Sequence, residues 1–192
     1  MATVAAQTYI TPQEYLTLER KAAYKSEYLD GHIIAMSGAS FKHSLIISNI
    51  SGELHLQFKG RGCSVHTNDM RVRPNPRDSY FYPDVVVVCG EPQFEDEAFD
   101  TLLNPIVIVE VLSPSTEAYD RGEKFRRYQQ LASLKEYVLV SQDKVWVEHH
   151  RRHGAQWILS HYRSFEEVLP LPSIGCEVPL RDIYARVILN ED

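Results

Sequence analysis

Long apolar runs are missing from this chain. No stretch reaches the ~18 apolar residues that a bilayer span requires, and Met1 to Gln7 has neither the basic opening nor the apolar centre of an export signal. No membrane and no export are therefore expected. Cysteine is scarce too. Cys63, Cys89 and Cys176 are odd in number, widely spaced and form no Cys-x-x-Cys pair, so neither a disulfide framework nor a zinc ribbon is expected. A reducing, cytoplasmic setting is the simplest home. Positive charge is in short supply: the formal net charge of -6 disfavours a protein that coats nucleic acid by bulk attraction, while leaving room for a local basic patch. No P-loop, Gly-x-Gly-x-x-Gly, His-Glu-x-x-His or Gly-x-Ser-x-Gly motif occurs, which argues against nucleotide-binding, zinc-protease and serine-hydrolase chemistry. Internal repeats and low-complexity segments are absent as well.

What remains is ordinary globular composition, 44% hydrophobic and 24% charged over 192 residues. A chain of this length buries roughly 70% of its unfolded surface and needs no staples. One domain with its core at about 11–184 is expected, since no linker interrupts the pattern. Thr11-Pro12-Gln13-Glu14 combines a capping hydroxyl, a proline at the first helical position and a capping-box glutamate, so a helix should start there and fade by Ala22 or Ala23. Asp30-Gly31 supplies the two positive-φ residues of a tight hairpin between Tyr28 and Ile34. Ile46, Ile47, Ile50, Leu54 and Phe58 recur at helical spacing from His43 to Phe58. Val65 to Arg73 reads as one more exposed strand, closed by Pro74 and Pro76.

Val85-Val86-Val87-Val88 and Ile106-Val107-Ile108-Val109 differ from everything before them, being apolar at both parities, the mark of strands covered on both faces. A helix capped at Ser115 or Thr116 should follow and run to about Ser133, then a buried strand at Tyr137 to Val140. Val145 to His149 and Trp157 to Tyr162 form a hairpin around His153-Gly154, and the apolar residues from Pro170 to Tyr184 should pack back on the core. The tract His149 to His153 reads as a solvated hairpin tip rather than a zinc site, because strand alternation sends His149 and His150 to opposite faces. Two basic clusters (Arg121, Lys124, Arg126, Arg127; and Lys59, Arg61, Arg71, Arg73, Arg77) and an acidic segment from Glu91 to Asp100 read as solvated faces.

Two carboxylates stand out. Asp84 opens the first valine-rich strand and Glu110 lies near the exit of the second; an antiparallel register pairing Val88 with Ile106 places Asp84 opposite Glu110 on one face. Two charged acids in an apolar sheet repel and are costly to desolvate, and a divalent cation relieves both penalties. Oxygen ligands of this kind suit Mg²⁺ or Mn²⁺. A purely structural role, with Asp84 opening a turn and Glu110 pairing an arginine, is the competing reading.

Tyr82-Pro83-Asp84-Val85-Val86, then Val109-Glu110-Val111-Leu112-Ser113-Pro114-Ser115-Thr116, then Asp120 and Lys124, resemble the Uma-type family, a domain-of-unknown-function group in the PD-(D/E)XK nuclease superfamily. The likeness spans about Thr11 to Tyr184. It implies an α/β (α+β) restriction-endonuclease-like fold: a mixed central β-sheet flanked by helices, with an N-terminal helix and β-hairpin. It also implies that Asp84 and Glu110 hold a metal, Mg²⁺ or Mn²⁺, that activates water against a phosphodiester. The lysine departs from the superfamily pattern: its usual place two residues after the acid holds Leu112, and Lys124 on the following helix is the implied substitute. Asp120, Lys124 and Tyr128 share one helix face. Glu27, before the Asp-Gly turn, and His43, opening the next helix, are accessory candidates on the same likeness.

The sequence thus points to a metal-dependent endonuclease acting on nucleic acid, DNA first, with Asp84, Glu110 and the Val111 backbone carbonyl as metal ligands and Lys124 at the reacting phosphate or water. A homodimer or higher homo-oligomer is the default for cutting two strands. Two alternatives stay open: the same fold as an inactive nucleic-acid-binding or assembly module, and a hydrolase for another phosphoester.

Overall fold

The computed structural model describes residues 9–36, 38–75 and 79–189; the expectations placed on Met1 to Gln7, Pro76 and Arg77 lie outside them. At the N-terminus, α1 (Pro12–Glu19) carries the expected capping box, with the Thr11 side chain accepting from the Glu14 N–H and the Glu14 carboxylate accepting from Thr11. It stops at Glu19, before Ala22. The hairpin β1 (Ser26–Leu29) and β2 (His32–Ala35) turns on Asp30 (φ 48°) and Gly31 (φ 87°), the two left-handed residues the turn requires. Tyr15 of α1 stacks at 5.1 Å on Tyr28 of β1 and lies 5.2 Å from Tyr80 of β5 (Ser79–Phe81), which seats the helix on a five-stranded sheet ordered β2-β1-β5-β4-β7. Here β4 is Arg71–Asn75 and β7 is Thr101–Leu102.

The expected single strand from Val65 to Arg73 is two strands in two sheets. β3 (Cys63–Thr67) ends at Asn68, whose φ of 54° turns the chain a sharp corner before β4, a conformation asparagine tolerates better than most residues. Pro74 sits inside β4 at an irregularity of the β4–β5 ladder, where a missing N–H costs little.

The larger sheet has six strands, β11-β10-β9-β8-β6-β3. β6 (Val85–Cys89) lies antiparallel between β3 and β8 (Val107–Leu112), and β8 runs parallel to β9 (Glu136–Ser141). β10 (Val147–His153) and β11 (Gln156–Tyr162) complete it as an antiparallel hairpin. Both valine-rich strands are buried on both faces, as expected. Val85, Val87, Val107, Val109 and Val111 meet Ile46, Ile47, Ile50 and Leu54 of α2 (Phe41–Gln57), and the C-terminal β12 (Val168–Leu171), β13 (Cys176–Pro179) and α5 (Leu180–Ile183) close this side. On the other face Val86, Val88, Ile108 and Leu112 meet Phe125 and Tyr128 of the crossover helix between β8 and β9.

That crossover consists of α3 (Glu117–Tyr119), a π-helical turn (Asp120–Lys124) and α4 (Phe125–Tyr128). It ends at Tyr128 rather than Ser133 because the Arg152 guanidinium donates to the carbonyls of Gln129, Leu131 and Leu134, fixing the chain as it leaves the helix. The His149–His153 tract is solvated only toward its tip, where Arg151 and His153 are exposed; its start is not. His149 is buried against Glu136, and His150 packs 4.4 Å from the Phe125 ring on the opposite face.

The three thiols expected from cysteine spacing are one thiol and one disulfide. The β3–β6 register sets Cys63 directly opposite Cys89, and the two are bonded; Cys176 is free and buried. Spacing along the chain hid a pair that cross-strand register brings together. Among the described residues no helix is long and apolar enough to cross a membrane.

Candidate active site

The β6–β8 ladder pairs Val85 with Val109, Val86 with Ile108 and Val87 with Val107, and one further step places Asp84 opposite Glu110, the register expected from sequence. Backbone donors fix both acids: the Val111 N–H donates to Asp84 Oδ2 at 2.7 Å, and the Asp84 N–H donates to Glu110 Oε2 at 3.3 Å. The corner at Asn68 is pinned to the same place, its N–H donating to the Asp84 carbonyl.

Lys124 reaches these acids from the π-helical turn. Its ammonium lies 3.0 Å from Glu110 Oε1, 2.9 Å from Glu27 Oε1 and 3.8 Å from Asp120 Oδ1. All four side chains are buried to within a few per cent of completely, so the ordinary surface Asp–Lys pair is not what the helix makes. Glu27 comes from β1 of the other sheet and is held by the Tyr82 N–H at 3.1 Å. Asp120 is hydrogen-bonded by the Thr116 side chain, and the π-helical geometry, common where helices serve sites, carries it and Lys124 into the same space. His43, in the first turn of α2, sets Nε2 3.2 Å from Asp84 Oδ2, while its buried Nδ1 meets no hydrogen-bond partner among the described residues.

The electrostatics follow from burial. Desolvation pushes Glu110 well above the usual carboxylate range; Lys124 opposes this, and Asp84, Asp120 and Glu27 add to it. Burial alone would lower Lys124, but Glu110, Glu27 and Asp120 outweigh it and hold the ammonium charged well above the ordinary lysine value. Asp120 is raised, first by burial. Burial also acts to lower His43, but its hydrogen bond to Asp84 and that carboxylate's charge leave it raised.

These groups line a cleft of about 800 Å³ between the two sheets. Of the sequence candidates, Glu27, His43, Asp84, Glu110, Val111, Asp120 and Lys124 all face it. Tyr128 does not. It stands behind Glu110 and donates to Oε1 at 3.4 Å, bracing the acid from the core. Sequence reasoning missed Tyr119, which lines the cleft with a buried hydroxyl that has no hydrogen-bond partner among the described residues; its place beside Asp120 was the available signal. It also missed Lys25 and Asp69, paired at 2.8 Å on the rim, and Ser40, which donates to Gln142.

For a cation, the chemistry of the donors is suitable. Asp84, Glu110 and the Val111 carbonyl are hard oxygens, and the inner part of the cleft gathers Glu27, Asp84, Glu110 and Asp120 around Lys124 and His43. Among the described residues no group of three or more His, Cys, Asp or Glu side chains forms a ready cage. A two-carboxylate site completed by backbone and water is the habit of Mg²⁺ rather than of zinc.

Residues 12–181 match the Uma2 family, described as "Putative restriction endonuclease". Two proteins of Synechocystis sp. are similar: "Uncharacterized protein sll1609" is 39% identical over 83% of this chain and 91% of its own length, and "Uncharacterized protein slr1290" is 37% identical over 91% of each. A crystal structure from Anabaena variabilis, titled as a "putative nuclease belonging to DUF820", superposes with a TM-score of 0.78 at 21% identity, covering 93% of this chain and 99% of that one. It shares the mixed-sheet, helix-flanked fold. With its match running from α1 to α5, the chain belongs to the Uma2 family and has the restriction-endonuclease-like fold.

Proposed function

We propose that this protein is a Mg²⁺- or Mn²⁺-dependent nuclease that hydrolyses phosphodiester bonds, in DNA first. The observation that carries the reading is the convergence of Asp84 and Glu110 from neighbouring strands with Lys124 3.0 Å from Glu110. Asp84, Glu110 and the Val111 carbonyl would hold the ion. Bound there, it would supply Lewis acidity and a more acidic water at neutral pH. The chain's own residues do the rest. Lys124, kept charged by its carboxylates, offers positive charge where a phosphoryl oxygen gains negative charge. Glu27 and Asp120 orient that ammonium, and His43 holds the Asp84 carboxylate from the α2 side. Residues 11–184 act as one catalytic unit, and a homodimer would present two such clefts to a duplex.

A second reading is a nucleic-acid-binding module without turnover. It is favoured by the fact that Glu110 is already engaged, at Oε1 by Lys124 and Tyr128 and at Oε2 by the Asp84 N–H. Calorimetric titration with Mn²⁺ separates the two. The nuclease reading expects one site that is lost in Asp84→Asn, together with cleavage of DNA that stops with EDTA and in folded Glu110→Ala. Cleavage that survives both treatments would overturn it, and absence of any Mn²⁺ site would favour the module.

A further inference from the structure

Most cations around the cleft are already spent. Lys25 pairs with Asp69, Lys42 with Asp143, Arg121 with Glu117 and Glu148, Arg126 with Glu123, and Arg127 with Glu123 and Asp30. Two cations beside one another depart from this pattern. The Arg163 guanidinium lies 4.1 Å from the centre of the Trp146 ring and the Lys144 ammonium 5.0 Å from it, and neither has a carboxylate partner among the described residues. The exposed His161 ring lies 5.3 Å from the same indole. Glu166 and Glu167 are nearby in sequence, but their carboxylates are taken by the Ser164 hydroxyl and by the N–H groups of Arg163 and Ser164.

Strand register relates this patch to the cleft. Glu110 is beside Leu139, Leu139 beside Glu148 and Glu148 beside His161, so all four side chains leave the same face of the sheet. Carried one residue further, the β10–β11 register sets Trp146 opposite Arg163, and the Ser141 N–H donates to the Trp146 carbonyl at 3.0 Å. Three strand spacings put His161 about 14 Å from Glu110. The two places are also tied through side chains: the Trp146 indole N–H donates to Glu148 Oε1 at 3.0 Å, and the other Glu148 oxygen pairs with Arg121, the neighbour of Asp120 on the π-helical turn.

We propose that Lys144, Arg163 and His161, held in place by the Trp146 ring, form a phosphate-contacting surface for the backbone of a nucleic-acid strand whose scissile bond occupies the cleft. Cations stacked on an aromatic face are pre-ordered, so less side-chain freedom is lost when a phosphate arrives. An anionic polymer is the partner such a patch suits, because it lies on the same sheet face as the cleft and only a few nucleotides from it. This inference rests on the phosphodiesterase reading of the cleft.

The test is fluorescence anisotropy of a short labelled DNA single strand, and separately of its duplex, titrated in EDTA so that binding is read without cleavage. Lys144→Ala/Arg163→Ala is expected to weaken binding about tenfold or more and to reduce the salt slope by about one for each lost contact. Arg163→Lys, which keeps the charge, should retain most of the affinity, and Trp146→Leu should lose most of it. The stronger of the two arms tells whether single strand or duplex is held. Unchanged affinity and salt slope in the double variant, with the wild type still cleaving DNA in Mn²⁺, would overturn the inference and leave the nuclease reading intact. A wild type that neither binds nor cleaves either form would overturn both.

Discussion

At Glu110 a single carboxylate carries both the cost and the purpose of the cleft. Its proton affinity in the folded chain is raised above that of the unfolded chain, chiefly by burial, so its contribution to stability is fully present below about pH 4.3, the unfolded value, and is lost as pH rises through the folded value. Once ionised, the buried acid costs stability rather than adding to it. Glu110→Gln is expected to raise the melting temperature at pH 7 while abolishing Mn²⁺ binding by calorimetry, and to have little effect on melting near pH 4; a variant less stable than wild type at pH 7 would contradict this. Lys124→Met should do the reverse. Removing the ammonium leaves Glu110, Glu27 and Asp120 uncompensated, at a cost of about 3–5 kcal/mol for a broken buried pair. Added Mn²⁺ should then raise the melting temperature of Lys124→Met more than that of wild type. Much of this was legible beforehand: strand parity places Asp84 opposite Glu110, and four-residue spacing places Asp120 beside Lys124. The three-way sharing of Lys124 was not, because Glu27 arrives from a strand of the other sheet, and no periodicity along one segment encodes which sheet a distant strand joins.

Elements show the same division between local and long-range information. The α1 capping box, the Asp30-Gly31 turn and the two valine-rich strands are short-range chemistry and were readable residue by residue. The corner at Asn68 was hidden because strand-like residues flank it on both sides, and the Cys63–Cys89 bond because it depends on the register of β3 with β6. That bond ties an edge strand to the strand that begins just after Asp84. Reducing it, or replacing both residues with serine, should destabilise the fold by about 2–4 kcal/mol, read as a lower urea midpoint, since the cross-link restrains the unfolded chain. Equal midpoints with and without reductant would show that the bond contributes nothing. The π-helical turn was equally invisible, yet Gly122 within it offers a check. A methyl group there would meet no atom within 4 Å, and its backbone is not in the left-handed region. Gly122→Ala should therefore stabilise the chain by about 0.5–1 kcal/mol if alanine's helical preference holds through the turn. A loss of stability would mean that the wider turn requires glycine.

Over the whole molecule the governing quantity is charge. A net charge of -6, with several arginines near the cleft already paired to carboxylates, gives an overall field unfavourable to phosphate, and on the inference above contact falls to the cations stacked on Trp146, Lys144 just before β10 and Arg163 just after β11. Acidity of this kind confines a polyanion to a short contact rather than a wrapped one. The number of phosphates neutralised should accordingly be small, about two or three, and binding of a single strand in EDTA should weaken with salt along a log–log slope near -2, at about -0.7 per contact. A slope of about -6, as for proteins that track long stretches of backbone, would place the contacts elsewhere on the surface and would require cations that this structure shows occupied to exchange their carboxylates for phosphate. On the nuclease reading, divalent ions would shift the balance at the cleft, where Asp84 and Glu110 stand. The EDTA measurement therefore reads the metal-independent contacts, and its difference from the same titration in Ca²⁺, an oxygen-seeking ion that serves as a binding probe, reports what a divalent ion at the two acids would add.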